Sequence, residues 1–157
     1  MVNEYQQRIT AAIKRLKESS IVEDGNITGC AKDEISEIEQ KAGVDLPTAY
    51  VMFLEEMGQS AGDFQRGDDL FYPDMIGLQS AMQEIIAEKN SSVELTGSDF
   101  VFAGHHGYVY LLFDTQNGED PPVYRYIEGN DELEQVFEGF SEWLESSIED
   151  EISLADY

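Results

Sequence analysis

Apolar residues recur along this chain at two periods, and the period changes near residue 100. Before that point the spacing is helical. Tyr5, Ile9, Ala12, Ile13 and Leu16 line one face of a helix predicted over 3–19. Ile35, Ile38 and Ala42, at i, i+3 and i+7, predict a second helix over 33–43, and Gly43 stands where a left-handed C-cap is expected. Tyr50, Phe53, Leu54 and Met57 predict a third over 47–57, ended by Gly58. Pro47 suits its first turn, since the N–H it lacks would have no partner there, and Leu46 just before it can fix the angle between the two helices. Leu78, Met82, Ile85 and Ile86 predict a fourth helix over 78–89. Between these, 19–30 reads as a connector with turn signals at Asp24-Gly25 and Gly29, and 59–67 as a polar loop. Leu70–Tyr72 reads as a short strand stopped by Pro73.

After residue 100 the pattern alternates. Phe100–Ala103 and Tyr108–Phe113 are β-rich runs joined through Gly104-His105-His106-Gly107. A second turn over 114–120, containing Asn117-Gly118, leads to a strand over Val123–Glu128, with Pro121 and Pro122 at its entry. These strands form an antiparallel meander that Leu70–Tyr72 can extend. Asp131 is the expected N-cap of a last helix whose apolar face is Leu133, Val136, Phe137, Phe140, Trp143, Leu144 and Ile148. The fold class is α+β, an antiparallel meander packed against N-terminal helices and a C-terminal helix. One domain over 1–157 is expected, with a core at about 30–148, the helix at 3–19 before it and a fraying acidic tail over 149–157. Leu46, Tyr50, Phe53, Leu54, Tyr108 or its strand neighbours, Phe140 and Leu144 are expected to share one core.

The stretch Ile35–Gly58, with Ile35, Glu39, Gly43, Leu46, Pro47, Tyr50, Phe53, Leu54 and Gly58 at their spacing, resembles the signature of the SUKH superfamily. Those are bacterial immunity proteins and a fungal cell-wall regulator sharing one fold. The strand pair over 100–114, PPVYRYIE and the terminal FSEWL resemble that family's later elements, so the likeness covers roughly 30–148. Gly139 departs from it: relatives often carry Ser before the Phe of the last helix, and Gly is expected to weaken that helix locally. The resemblance implies a cytoplasmic, non-enzymatic protein encoded with a polymorphic toxin, often one with a nuclease domain. The fungal branch implies an alternative, an intracellular regulatory or scaffold protein with no toxin partner.

Charge sharpens the picture. Thirty-three acids against nine bases leave a net charge of −24. From Asn90 onward, 16 acids face only Arg125, a net of −15, whereas six of the nine bases lie within the first 41 residues. Such a surface repels nucleic acid and anionic membrane and attracts basic proteins. Acidity that serves solubility alone is the other reading. No apolar run reaches the length of about 20 residues that spans a bilayer, and the start of the chain lacks the pattern of a signal peptide. The single Cys30 excludes an internal disulfide.

No nucleotide-binding, calcium-loop or hydrolase motif occurs, and no cofactor is expected. His105 and His106 invite a metal reading. Neighbours on a strand point to opposite faces, however, so two solvated turn histidines are the better account unless the turn bends them together. Cys30, lacking any nucleophile motif, reads as a small buried residue. The tyrosines are more informative. Tyr108 and Tyr110 share a strand face with Leu112, as Tyr124 and Tyr126 share a face of the next strand. That face either fills the core or forms an aromatic binding patch. The candidate partner-binding residues are therefore the acids of the turns and their tyrosines: Asp99, Tyr108, Asp114, Glu119, Asp120, Tyr124 and Glu128. Glu134, Glu138, Glu142, Glu145 and Glu149 recur every four or so residues, as on a solvated helix face. The expected partner is a basic toxin domain, bound by charge complementarity and blocked without turnover.

Overall fold

The computed structural model describes residues 3–155 apart from Asp24. Among the described residues there are five α-helices: α1 (Glu4–Glu18), α2 (Lys32–Ala42), α3 (Thr48–Met57), α4 (Leu78–Glu88) and α5 (Phe140–Ala155). A two-stranded ribbon joins β1 (Ile27–Thr28) to β2 (Ser60–Ala61). The main sheet is an antiparallel meander of β3 (Asp68–Asp69), β4 (Asp99–His105), β5 (Val109–Asp114), β6 (Val123–Ile127) and β7 (Glu134–Phe137), in that spatial order. This is the expected α+β architecture.

The first four helices begin and end within one residue of where the sequence places them. Gly43 closes α2 at φ +69°, its N–H donating to Glu39 O at 2.8 Å. Pro47 sits one position earlier than expected, as the extended residue before α3, with φ −62° and ψ 148°. Leu46 is buried beside it, and its N–H donates to the Glu39 carboxylate at 2.8 Å, tying the α2–α3 corner.

The core is aromatic. Tyr50 of α3 meets Phe100 and Phe102 of β4, Phe113 of β5 and Phe140 of α5 at centroid separations of 5.3–6.1 Å. Leu46, Phe53, Leu54 and Leu144 join them, as expected. Tyr108 itself does not, being 43% exposed, but its strand neighbour Tyr110 does. α4 lies against β4, and Leu78 occupies the space a side chain at Gly104 would need. β3 pairs only with Gly104 and His105, leaving the rest of that edge of β4 uncovered. Gln79 completes it, donating to Asp99 O at 3.1 Å and accepting from Val101 N–H at 3.0 Å. A side chain thus blunts a strand edge that would otherwise invite pairing.

Several expectations are corrected. The connector over 19–30 holds β1, which pairs with β2 inside the stretch read as a polar loop. Its turn signal at Asp24 falls outside the described residues, while Gly25 takes φ +69°. Leu70–Tyr72 is not the strand; Asp68–Asp69 is. Leu70 is buried instead, and Tyr72 ties α3 to α2, donating its N–H to Gly58 O and its hydroxyl to Glu37 at 2.7 Å.

The largest correction is at the last helix. It starts at Phe140, and Glu134–Phe137 is the fifth strand. Asp131 does not cap it; its carboxylate accepts from Ser92 N–H. The cap comes from Asp120, which accepts from Ser141 N–H at 2.8 Å and from Ser141 Oγ at 2.7 Å. Glu134 and Glu138 are therefore not on the helix. α5 runs on to Ala155, so 149–155 is helical, while Asp156 and Tyr157 lie outside the described residues. Gly139 precedes the helix and does not weaken it: a Cβ there would stand 2.6 Å from Asp120 Oδ2. Gly139→Ala should displace that carboxylate and destabilise the protein by about 1–3 kcal/mol, the usual cost of overpacking. Asp120→Ala should cost about 1 kcal/mol as a lost cap. Urea denaturation of the two variants and their combination should show losses that do not add, because both act on one contact.

Candidate partner interface

The β4–β5 hairpin turns through His106 at φ +52° and Gly107 at φ +78°, and Tyr108 N–H donates back to His105 O at 3.2 Å. Two successive left-handed residues match the strand twist and need Gly at one of them. Tyr108 therefore belongs to the turn and not to the strand face it was assigned. The same turn bends the two imidazoles together, their ring centroids 4.0 Å apart and nearly edge-to-face. Tyr108 stands over them, parallel to His106 at 6.4 Å and edge-on to His105 at 5.6 Å. His105 Nδ1 contacts the Asp68 carboxylate across the β3–β4 pairing.

Acids surround this tip. Glu128 N–H donates to Tyr108 O at 2.8 Å, bringing the end of β6 beside the hairpin. Tyr110, one pleat below, has its phenol held above the ordinary range by burial first and then by the charges of Glu128, Asp69 and Glu84. Those three carboxylates thus converge from β6, β3 and α4. Glu128 is paired with Lys89 at 3.2 Å; Asp69 and Glu84 have no ion-pair partner among the described residues. The acids of α5 differ. Glu149 is gripped by Arg15 through two bonds at 2.6 and 2.8 Å, and Glu145 lies 3.8 Å from Arg8, so bases of α1 offset them.

Six of the seven residues singled out from sequence fall into two groups. Tyr108 and Glu128 meet at the hairpin end. Asp99, Asp114, Glu119 and Asp120 lie at the other end of the strands, roughly 20 Å away for six residues of extended chain. There, Asp99 and Asp114 stand directly opposite one another, their carboxylates accepting from Thr96 N–H and Gln116 N–H. Glu119 accepts from the Tyr5 hydroxyl at 3.0 Å, and Asp120 is occupied by the α5 cap. Tyr124 is half-buried between Leu112 and Gln135 of the flanking strands. Tyr110 and Tyr126 are buried, so the tyrosine strand faces are mostly core, whereas Tyr108, on the turn, is exposed. Asp68, Asp69 and Glu84 went unselected, because only the β3–β4 pairing and the packing of α4 bring them to the tip.

Cys30 is buried against Gly58, and burial, helped by the charge of Glu34, pushes its thiol up to about 11. That is the opposite of an activated nucleophile. Among the described residues no group of three or more His, Cys, Asp or Glu is placed to hold a metal, and no helix is long and apolar enough to cross a membrane.

The family model described as SMI1 / KNR4 family (SUKH-1) matches residues 29–146, from just before α2 into α5. The chain belongs to the SMI1 / KNR4 (SUKH-1) family. No curated protein matches it. Within this SUKH-1 chain the matched segment holds the whole main sheet and the hairpin tip, whereas α1 lies before it. The signature residues Leu46, Tyr50, Phe53 and Leu54 are all in the core, and the Tyr50 ring joins α3 to β4 and β5.

Proposed function

We propose that the chain is an immunity-type inhibitor, which binds a cognate toxin domain one to one and holds it inactive without turnover. The observation that carries this reading is the hairpin tip: an exposed Tyr108 on the turn, with Glu128 bonded to its carbonyl through the backbone, and Asp69 and Glu84 acting with Glu128 on the neighbouring Tyr110. An amphipathic ring on a rigid turn is the type of side chain that anchors protein interfaces. The acids at this end, of which Asp69 and Glu84 have no ion-pair partner among the described residues, favour a basic cleft, as in a domain that cleaves nucleic acid and must hold phosphate. Membership of the SUKH-1 family supports an intracellular binding role, and the sealed thiol of Cys30 agrees with binding over catalysis.

The test is co-expression with the toxin domain encoded beside the gene, followed by titration of the purified pair. Growth should be restored, and toxin activity should fall linearly to zero at equimolar inhibitor. Residual activity at a large excess, or inhibition that grows with time at substoichiometric inhibitor, would defeat the proposal.

A further inference from the structure

The two edges of the main sheet are finished differently. At one edge β3 and the Gln79 side chain cover β4. At the other, β7 pairs with β6 alone, and among the described residues no side chain of another element bonds to its backbone. Only its own Gln135 comes near, Nε2 donating to Phe137 O at 3.5 Å. A strand paired on one side turns the N–H and C=O of alternate residues outward, a template for a further strand. The edge is within reach of a partner: Glu134 and Gln135 are exposed, and Val136 and Phe137 are half-buried. Val136 is an extra residue between the pairs Gln135–Tyr124 and Phe137–Val123, which breaks the row and limits pairing to a short segment.

Charge decides what can pair there. Residues 131–138 carry four acids and no base. Arg125 of β6 offsets Glu134 at 2.7 Å, but Glu132 and Glu138 are exposed and have no ion-pair partner among the described residues. A second copy of this chain would set acids against acids, and two bodies of −24 repel. We infer that the outer edge of β7 binds a short, extended, basic segment of a partner protein as a sixth strand of the main sheet. Main-chain bonds hold such a segment, and Lys or Arg side chains on it meet Glu132 and Glu138. The surface is separate from the hairpin tip. It needs no toxin partner, because what it recognises is an extended main chain and not a cleft.

The experiment uses the full chain, isotopically labelled, and three short synthetic peptides. One alternates Lys and Val, and the second replaces every Lys by Glu. The third keeps the Lys–Val sequence with every backbone nitrogen methylated, so the charge stays and the main-chain donors are gone. The first should bind saturably, shift amide resonances of β7 and β6, and slow hydrogen exchange at β7. The methylated peptide should bind about tenfold more weakly, as expected for a few lost hydrogen bonds, and the Glu peptide more weakly still. Glu132→Lys combined with Glu138→Lys, at exposed positions outside the core, should weaken the Lys–Val peptide about tenfold. Equal binding of the methylated and unmethylated peptides would mean that only the diffuse acidic field acts. That outcome, an absence of saturable binding, indifference to the paired substitution, or shifts confined to the hairpin tip would each overturn the inference. So would β7 shifts that grow with protein concentration alone, which would make a second copy the occupant.

Discussion

Phe140→Ala should destabilise the protein by about 3–5 kcal/mol, the usual cost of truncating a fully buried Phe. Phe140 is 0% exposed and lies where α5 begins. Its ring meets Tyr50, Phe53, Phe102, Phe113 and Trp143 at 5.3–6.0 Å, contacting α3, β4, β5 and its own helix at once. Removal leaves a cavity bounded by stiff rings, which collapse poorly into it, so the loss should lie toward the upper end of that range. Leu54→Ala, equally buried, should cost about 2–5 kcal/mol. Equilibrium urea unfolding measures both. A loss well under 1 kcal/mol for Phe140→Ala would show that α5 does not close the core through this ring.

The same residues show what was readable from the sequence. α1 to α4 were legible because an apolar stripe at 3.6-residue spacing is a local signal, and Gly43 and Gly58 punctuate it. The meander was legible because its turns are short and carry Gly. β7 was not, since Leu133, Val136 and Phe137 fall at i, i+3 and i+4 and imitate a helical stripe. What breaks that stripe is Asp120, 21 residues before Ser141, which captures the first turn at Phe140 and excludes a side chain from Gly139. β3 was missed for a similar reason: Asp68-Asp69 has no apolar alternation, and only its pairing to Gly104 and His105 makes it a strand. The candidate interface inherits both limits. Tyr108 and Glu128 were found because one hairpin separates them. Asp69 and Glu84 lie in other elements, and a charge tally taken after residue 90 cannot include them. Conversely, Asp120 counts as a loop acid in any tally, although its carboxylate is spent on the cap.

Charge reversal at the hairpin tip should slow association with a basic partner more than equal reversal anywhere else on the sheet. Asp69→Lys combined with Glu84→Lys changes two exposed carboxylates that act on the Tyr110 phenol and have no ion-pair partner among the described residues, so the local field changes sign without breaking an ion pair among those residues. The matched control is Asp114→Lys with Glu119→Lys at the far end, roughly 20 Å from the tip, or about two Debye lengths at physiological salt. Screening over that distance means the control pair contributes little to steering if docking occurs at the tip. The tip variant should therefore associate more slowly and lose much of its salt dependence, while the control keeps both close to the parent values. Tyr108→Ala should act on the other rate. An aromatic anchor releases its buried area only as the complex comes apart, so dissociation should accelerate about tenfold with association nearly unchanged. Reversal on α5 is a less clean comparison, because Glu145 and Glu149 already face Arg8 and Arg15, and their loss would perturb the α1–α5 packing. Binding kinetics against the partner at two salt concentrations separate these effects. Equal slowing by the tip and far-end variants, together with an unchanged dissociation rate for Tyr108→Ala, would mean that the charge acts as an undirected field and that the tip is not the docking surface.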